Sequence, residues 1–420
     1  MFKSLLLTLS LLSFQLISQT KEAYLLANRQ DLRQSNFQFP QQDFKILGFG
    51  VYHGSSKSEH AELSLLNDLI SQGSIKYYLP ETDYSTAYYF NKYLQNGDTL
   101  LLKDLMIAYG DRVPQDGSIE GYKKWQALKQ INDRVEQSKK IEVIGIDEIG
   151  CYKYTIKQLL TLIKPSLKNH KMVKLLKTPM KDHYAYSAYY DSPSRLMLKK
   201  VIELFETNQS QITPHLKDVA TFKHLINNIK RTYVKGNSRE ATIFLNYKEL
   251  LPRYNFDSNA QFARFGFFHL EKSREGEKGY PSFFTRLIEN GIYKKNEVIS
   301  IIGYLTKSKV LWERKYSKDD VYKGYTTRGG YGIGDYWLER FKGIKQLKKR
   351  KLSDMTLYRL NLPDSPYWSK EPDLMEIVML LRKSNKDRVK GMSTLDFIDY
   401  SILITNSKAN HPIQELNNNH

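Results

Sequence analysis

The chain has 420 residues, of which 41% are apolar, so it is long enough to bury a large core as one elaborate domain or two ordinary ones. Its formal net charge of +19 permits acidic partners, but the lysines are scattered along the whole sequence and the densest basic run, at 345–351, is short. Because no helix-turn-helix or RNA-binding signature accompanies that run, we predict no nucleic-acid partner. The single cysteine, Cys151, excludes an internal disulfide.

Residues 1–19 have the features of a secretory signal peptide. Lys3 supplies positive charge, an apolar stretch runs from Leu5 to Ile17, and the small Ser18 suits a cleavage site. The apolar stretch is too short and interrupted to span a bilayer comfortably, and no later segment comes close. The sequence therefore predicts a periplasmic or secreted protein with no stable membrane insertion after signal cleavage.

Six short apolar runs predict buried strands, and helical patterns alternate with them. The runs are 44–49, 75–80, 141–146, 262–268, 298–304 and 400–405. Strands that alternate with helices indicate an α/β fold with a mainly parallel central sheet flanked by helices. Long polar stretches with helical patterns, at about 100–138 and 155–250, predict large helical insertions.

These patterns give the predicted domain organisation. After the signal peptide, residues 20–43 form an N-terminal lead-in, residues 44–412 form the α/β domain with its insertions, and residues 413–420 form a tail. The region 305–395 reads as irregular. Its glycine cluster at 326–337 matches neither a P-loop nor a dinucleotide fingerprint, and it fits either a mobile loop or a substrate lid.

The first helix of the domain has clear boundary signals. Ser56 and Glu59 have the spacing of a capping box, and Gly73 is placed to end the helix. A second helix start is predicted within 237–247, which puts Arg239 in its first turns.

Polar side chains follow several of the predicted strands. His53 follows the first, Glu81 the second, Asp147 the third and His269 a later one. In parallel α/β sheets, ligands bind beyond the carboxyl ends of the strands, so these side chains should share one rim. With Arg239 as a cation near that rim, the candidate catalytic residues are His53, Glu81, Arg239 and His269.

Four further residues are predicted to support that group or to contact substrate. Asp147 fits a structural cap or a partner of a catalytic residue, and His60 lies one helical turn from the rim. Glu240 directly follows Arg239, and Asp83 lies two residues after Glu81.

The order of these motifs resembles the erythromycin esterase-like family, which belongs with the ChaN-like and TraB/Tiki proteins in a loose superfamily. The resemblance runs from about residue 44 to 412 and is carried by the following phrases in chain order: GFGVYHG, PETD, AYYFNKYLQNGD, KWQALKQIN, GIDE, REATIFLN, GFFH and LDFIDYSILITNSKANHP. It implies an α/β fold and hydrolysis of an ester, lactone or amide.

Two departures from the family pattern accompany the resemblance. The family's first motif usually has a glutamate three residues before the histidine, and here that position is Gly50. The later motif usually has two histidines, and the first of them falls on Gly266. The remaining G-x-x-H phrases are close to the TraB/Tiki pattern, which includes metal-dependent peptidases.

Three hypotheses about function follow. The first is an exported hydrolase of a small-molecule substrate without a cofactor, in which His53 is general base on a water, Glu81 orients it, and Arg239 and His269 face the oxyanion. No G-x-S-x-G motif is present, which favours direct water attack. The second adds one divalent metal ion held by His53, Glu81 and His269. The third is a catalytically degenerate ligand-binding protein with an aromatic cleft.

Overall fold

A computed structural model describes residues 20–178, 191–319, 321–380 and 383–417. The signal peptide predicted for residues 1–19 lies outside the described residues, as does the end of the predicted tail, 418–420.

The strands in the described part of the chain form three sheets. In chain order they are β1 (Arg29–Asp31), β2 (Ile46–Val51), β3 (Tyr77–Pro80), β4 (Glu142–Val143), β5 (Gln261–Phe265), β6 (Val298–Thr306), β7 (Lys309–Tyr316), β8 (Tyr322–Gly329), β9 (Asp335–Tyr336), β10 (Glu339–Phe341), β11 (Met355–Arg359), β12 (Ile377–Met379) and β13 (Tyr400–Thr405).

The helices of the described residues lie mostly between the strands of the main sheet. They are α1 (Lys21–Ala27), α2 (Ser56–Gln72), α3 (Tyr84–Asn96), α4 (Thr99–Arg112), α5 (Ile119–Arg134), α6 (Tyr152–Leu162), α7 (Lys171–Leu176), α8 (Pro193–Thr207), α9 (Gln209–Ile212), α10 (Val219–Arg231), α11 (Arg239–Tyr254), α12 (Phe283–Glu289), α13 (Ile344–Arg350), α14 (Lys386–Val389) and α15 (Thr394–Phe397). Short 3₁₀ turns occur at Gln137–Lys139, Pro165–Leu167, Thr213–His215, Phe267–Leu270, Lys295–Glu297, Pro366–Trp368 and Ile413–Asn417.

The main sheet has eight strands in the order β1-β11-β13-β6-β2-β5-β3-β4. The six from β13 to β4 are mutually parallel. At one edge β11 pairs antiparallel with β13, and β1 pairs antiparallel with β11. All six predicted apolar runs supply these parallel strands, although the run at 141–146 forms only the two-residue β4. The predicted α/β fold, with a mainly parallel sheet, flanking helices and helical insertions, is confirmed.

The sheet separates two apolar cores. Successive residues of β2 alternate between them: Ile46 packs in one core, while Leu47, Phe49 and Val51 pack in the other. Helices α2 to α5 cover the second core, and α6 to α8 with α10 to α12 cover the first. Because both faces are covered, the strands are continuous apolar runs rather than alternating ones.

The start of the first helix of the domain differs from the predicted capping box. Helix α2 follows an N-cap at Ser55, and no side-chain cap hydrogen bond forms there, so the capping box predicted from Ser56 and Glu59 is wrong. Instead, Ser407 accepts a hydrogen bond from the backbone N–H of Lys57 at 3.0 Å. Glu59 is free to turn inward because this hydroxyl, from the loop after β13, satisfies the helix terminus. Gly73 ends the helix in the left-handed conformation, as predicted.

The region predicted to be irregular, 305–395, contains six strands, so that prediction is wrong. Strands β7 and β8 form an antiparallel hairpin, and β9, β10 and β12 form a small sheet. The glycine cluster at 326–337 provides the end of β8 and the strand β9. Phe341 of β10 stacks on Phe267 with ring centroids 5.3 Å apart, so this sheet packs against the carboxyl edge of the main sheet. The physical reason for the miss is that short, glycine-rich, polar strands lack an apolar period.

None of the helices in the described ranges has the length and apolar character needed to cross a bilayer.

Candidate active site

The four candidate catalytic residues converge at the carboxyl edge of the parallel sheet. His53 follows β2, Glu81 follows β3 directly, and His269 lies in the 3₁₀ turn after β5. Arg239 begins α11, whose N-cap Ser238 accepts a hydrogen bond from the backbone N–H of Ala241. The parallel order β2-β5-β3 therefore brings distant segments to one rim.

The imidazole of His53 is held at both nitrogens. Its Nδ1–H donates to Oδ2 of Asp116 at 2.8 Å, and Nε2 lies 3.1 Å from Oε2 of Glu81. Burial by itself lowers the pKa of His53, but Asp116 and Glu81 outweigh burial and the opposing charge of Arg264, raising that pKa to about 9. His53 is therefore an imidazolium at neutral pH, flanked by two carboxylates.

The carboxylate of Glu81 contacts several other groups of the site through its two oxygens. One oxygen accepts a hydrogen bond from the backbone N–H of Gly266 at 2.6 Å and faces His53. The other accepts from Nη2 of Arg239. Burial would raise the pKa of Glu81, but the charge and hydrogen bond of His53, with the charge of Arg264, hold it well below its usual value. A backbone amide, an imidazolium and a guanidinium thus converge on one carboxylate, which remains ionised.

Arg239 is oriented by a fully buried carboxylate. Its Nε and Nη2 donate to the two oxygens of Asp147 at 3.0 and 2.5 Å, and the fork geometry fixes the guanidinium plane. Its Nη1 donates to Nε2 of His269 at 3.0 Å. Nδ1 of His269 in turn lies against Oε1 of Glu240, the residue after Arg239. Asp147 and Glu240, two of the four residues predicted to support the group, therefore lie in contact with Arg239 and His269.

A chain of buried charges extends from His53 into the protein. Arg264 of β5 is 3% exposed, and its Nη1 lies 3.1 Å from Nδ1 of His53. Its Nε lies 3.4 Å from Glu62, which also pairs with Lys124 at 2.7 Å. Lys124 forms a further ion pair with Glu59 at 2.7 Å. His53 and Arg264 are both cations, and Asp116 stands beside both of them, with Oδ1 3.9 Å from Nη2 of Arg264. From Arg264 onward the signs alternate, which compensates the desolvation of each group.

Two predicted supporting residues lie elsewhere. His60 is exposed on α2. Asp83 caps α3: its carboxylate accepts hydrogen bonds from the backbone N–H of Ser85 and from both the N–H and the hydroxyl of Thr86. The structure does not bring either side chain to the group around His53.

The two glycines that depart from the family pattern have different surroundings. A Cβ on Gly50 would meet Ile302 at 2.8 Å and the carbonyl oxygen of Phe267 at 3.2 Å, so an apolar core closes that position. A Cβ on Gly266 would lie 3.1 Å from Nε2 of His53 and 3.7 Å from Oε2 of Glu81. A side chain at position 266 would therefore stand inside the site, beside His53 and Glu81.

Asp116 and Arg264 were missed by the sequence reasoning. Asp116 lies in the turn between α4 and α5, where no strand end points to it; the only signal is the Asp-Gly pair within a Pro-Gln-Asp-Gly turn. Arg264 had a clearer signal, because a lone arginine within the apolar run 262–268 must find a buried counter-charge.

The three side chains suggested as metal ligands do not offer a free set of donor atoms. Arg239 donates to Nε2 of His269 and to Glu81, so a guanidinium stands where a divalent cation would contact both. Nδ1 of His269 is bound to Glu240, and Nε2 of His53 faces Glu81. Within the described ranges, no group of three or more His, Cys, Asp or Glu side chains is arranged to hold a metal ion.

Comparison with known proteins gives structural neighbours only. No protein-family model matches the sequence, and no curated protein matches it. A Bacillus cereus protein of known structure superposes with a TM-score of 0.60 at 14% identity, covering 94% of this chain and 99% of its own. A succinoglycan biosynthesis protein gives a TM-score of 0.56 at 14% identity, covering 95% and 100%.

A third neighbour is a mutant of the erythromycin esterase EreC in its open conformation, with a TM-score of 0.55 at 12% identity over 88% of this chain and 92% of that one. At these identities the likeness concerns the fold. The chain therefore shares the α/β fold of erythromycin esterase EreC, without sequence-level evidence of membership in its family.

Proposed function

We propose that the protein is an exported hydrolase that cleaves an ester, lactone or amide by attack of a water molecule. The observation that carries the proposal is the position of His53, whose Nδ1 is held by Asp116 while Nε2 faces the carboxylate of Glu81. A carboxylate at Nδ1 fixes the tautomer and stabilises the imidazolium that forms when Nε2 takes a proton. Export is supported by the signal-like sequence at 1–19.

In the proposed reaction, His53 is the general base. Nε2 of the neutral imidazole takes a proton from water as the water oxygen bonds to the carbonyl carbon, and the carbonyl oxygen becomes an oxyanion. When the intermediate collapses, His53 returns the proton to the leaving oxygen or nitrogen. Because the resting imidazole is an imidazolium with a pKa of about 9, it must first lose a proton.

Glu81 and Arg239 supply the electrostatic part of the proposal. Glu81 orients His53 and, through its second oxygen, Arg239. A quarter of the Arg239 side chain is exposed, and its Nη1 lies 3.0 Å from Nε2 of His269. A guanidinium donor aimed at a developing oxyanion contributes about 3 kcal/mol of transition-state stabilisation.

The test is turnover on a panel of aryl esters, lactones and peptides. The wild-type chain should hydrolyse at least one class, and His53→Ala should lower kcat/KM by about 100-fold or more. His60→Ala is the matched control, since that histidine is exposed on α2, and it should leave the rate unchanged. If the wild-type chain turns over nothing on the panel, or if His53→Ala is as active as wild type, the proposal is wrong.

A further inference from the structure

A cavity of about 360 Å³ lies beside the candidate active site and shares a residue with it. That residue is Glu240: its Oε1 binds Nδ1 of His269, and the side chain also lines the cavity. The opposite walls include Phe268, Glu271 and Tyr280. Glu240 therefore links the cavity to His269, and Phe268 is the residue before His269 in the chain.

Two carboxylate oxygens at this cavity have no hydrogen-bond partner among the described residues. Glu271 is 6% exposed, and its Oε1 has no hydrogen-bond partner in the part of the chain that the structure describes. Within the same ranges, Oε2 of Glu240 also lacks one. The third glutamate of the wall, Glu275, differs because Arg388 pairs with it at 2.7 Å. A buried carboxyl without a partner is costly unless a ligand supplies one.

The remaining walls are aromatic and accessible. Phe268 and Tyr280 are 56% and 62% exposed, although both are large apolar side chains. The guanidinium of Arg286 lies 5.5 Å from the ring centroid of Tyr280, which shows that this ring already attracts a cation on one side. Aromatic faces beside carboxylates form a favourable environment for an organic ammonium group.

We propose that this cavity is the substrate subsite for a protonated amine carried on an apolar group, with Glu271 and Glu240 as its acceptors. The inference rests on the proposed function and narrows it: the preferred substrate is an amine-bearing ester, lactone or amide. The ammonium donates to Glu271 and Glu240, the apolar part packs between Phe268 and Tyr280, and the scissile carbonyl is directed towards His269 and Arg239.

Binding in this subsite is linked to a proton. Burial, Glu275 and Glu240 raise the pKa of Glu271 well above its ordinary value, and Arg388 opposes them only weakly; the buried phenol of Tyr304 is a further titratable neighbour. These surroundings favour the protonated form of Glu271. An ammonium beside it favours the ionised form, so the amine should displace a proton as it binds.

The experiment is calorimetric titration of the full chain with phenethylammonium and with 2-phenylethanol, which has the same ring and chain length but no charge. The amine should bind about 10-fold or more tightly than the alcohol. Its binding enthalpy should differ between two buffers of different ionisation enthalpy because a proton is released. Glu271→Gln should weaken amine binding by a similar factor and abolish the buffer dependence.

Glu206→Gln is the matched control, because Glu206 is an exposed glutamate that pairs with Lys230 on the surface, and it should bind the amine as wild type does. If Glu271→Gln does not fold, Tyr280→Ala tests the same subsite from the exposed wall and should also weaken amine binding. Equal affinity for amine and alcohol, or wild-type amine binding in the variant that folds, would overturn the inference.

The titration also separates this inference from the proposed function. His53→Ala should bind the amine like wild type, since the subsite does not require the general base. Amine binding without any ester turnover would support the amine subsite and contradict the proposed hydrolase activity. Turnover without an amine preference would support the proposed hydrolase and contradict the amine subsite.

Discussion

The carboxylate of Asp116 lies 2.8 Å from Nδ1 of His53, although the two residues belong to separate segments and the carboxylate comes from a turn between two helices. The contact orients Nε2 towards Glu81. It also favours the imidazolium, because a buried negative charge faces the ring. A carboxylate in this position supports a histidine base in other water- and serine-activating sites.

Asp116→Asn should lower the plateau value of kcat/KM by about 100-fold, because the amide keeps the shape but no longer stabilises the imidazolium. The loss of one of its two negative neighbours should also lower the pKa of His53 from about 9. The rise of activity with pH should therefore shift to lower pH, an effect that a merely structural role would not produce. Steady-state kinetics over a pH series measures both quantities.

Asp133→Asn is the control for this variant. Asp133 forms an exposed ion pair with Lys129 on α5, so its amide should leave rate and pH profile unchanged. An unaltered pH profile in Asp116→Asn, with normal folding by circular dichroism, would show that Asp116 does not act on His53.

The His53 cluster should also make stability depend on pH. The pKa of His53 is raised from 6.5 to about 9 in the folded chain, so its contribution is fully present below pH 6.5 and is lost as pH rises through about 9. One pKa unit corresponds to about 1.4 kcal/mol, which gives a loss on the order of 3 kcal/mol in the free energy of unfolding. Urea denaturation of wild type and His53→Gln at pH 6 and 9.5 measures the difference.

His60→Gln serves as the control for titration of an exposed histidine. Its stability should follow that of wild type across the same pH range. If His53→Gln loses as much stability as wild type between the two pH values, the ion pairs with Asp116 and Glu81 do not hold the proton on His53.

The sheet was predictable from the sequence because its parallel strands are buried on both faces. Runs such as 298–304 contain little but apolar residues, and such runs need no partner strand to be recognised. The positions of His53, Glu81 and His269 followed from one rule, that side chains after parallel strands share a rim. The small sheet of β9, β10 and β12 has strands of two or three residues with no apolar period, and it was missed.

The site was predictable only where it depends on strand ends. Asp116 comes from a turn between insertion helices, and nothing in the local sequence states which strand end that turn will face. The buried pairs of Glu59 and Glu62 with Lys124 were also unseen, because on a helix such residues normally indicate a solvated face. Charge pairs between residues far apart in the sequence leave no pattern in the sequence around either residue, so they are seen only in the three-dimensional structure.

Gly266→Ala should impair the site while leaving the fold intact. The backbone of Gly266 has φ −58°, which any residue adopts, but the new methyl would lie 3.1 Å from Nε2 of His53 and 3.5 Å from His269. The imidazole must shift by a few tenths of an ångström away from Glu81, and kcat/KM should fall about 10-fold or more. Kinetics beside a thermal melt measures this, and a large drop in Tm with unchanged activity would contradict it.

The Arg239→Lys variant tests whether a positive charge at this position is sufficient or whether the planar guanidinium is also needed. A lysine keeps the positive charge but loses the fork that binds both oxygens of Asp147 and also reaches Glu81 and His269. We expect kcat to fall about 10-fold or more while KM changes little, because the donor acts mainly in the transition state. Arg253→Lys, on the same helix and paired with Asp218 at the surface, should be neutral. A rise in KM alone would assign Arg239 to substrate binding instead.

The most direct test of the hydrolase is the pH dependence of kcat/KM, measured with the ester, lactone or amide that wild type cleaves fastest. A general base whose pKa is about 9 predicts a rate that rises tenfold per pH unit through neutrality and levels off above pH 9, and His53→Ala should remove the rise. A flat profile, or a wild-type profile retained by His53→Ala, would contradict the assignment of His53 as the base that activates water.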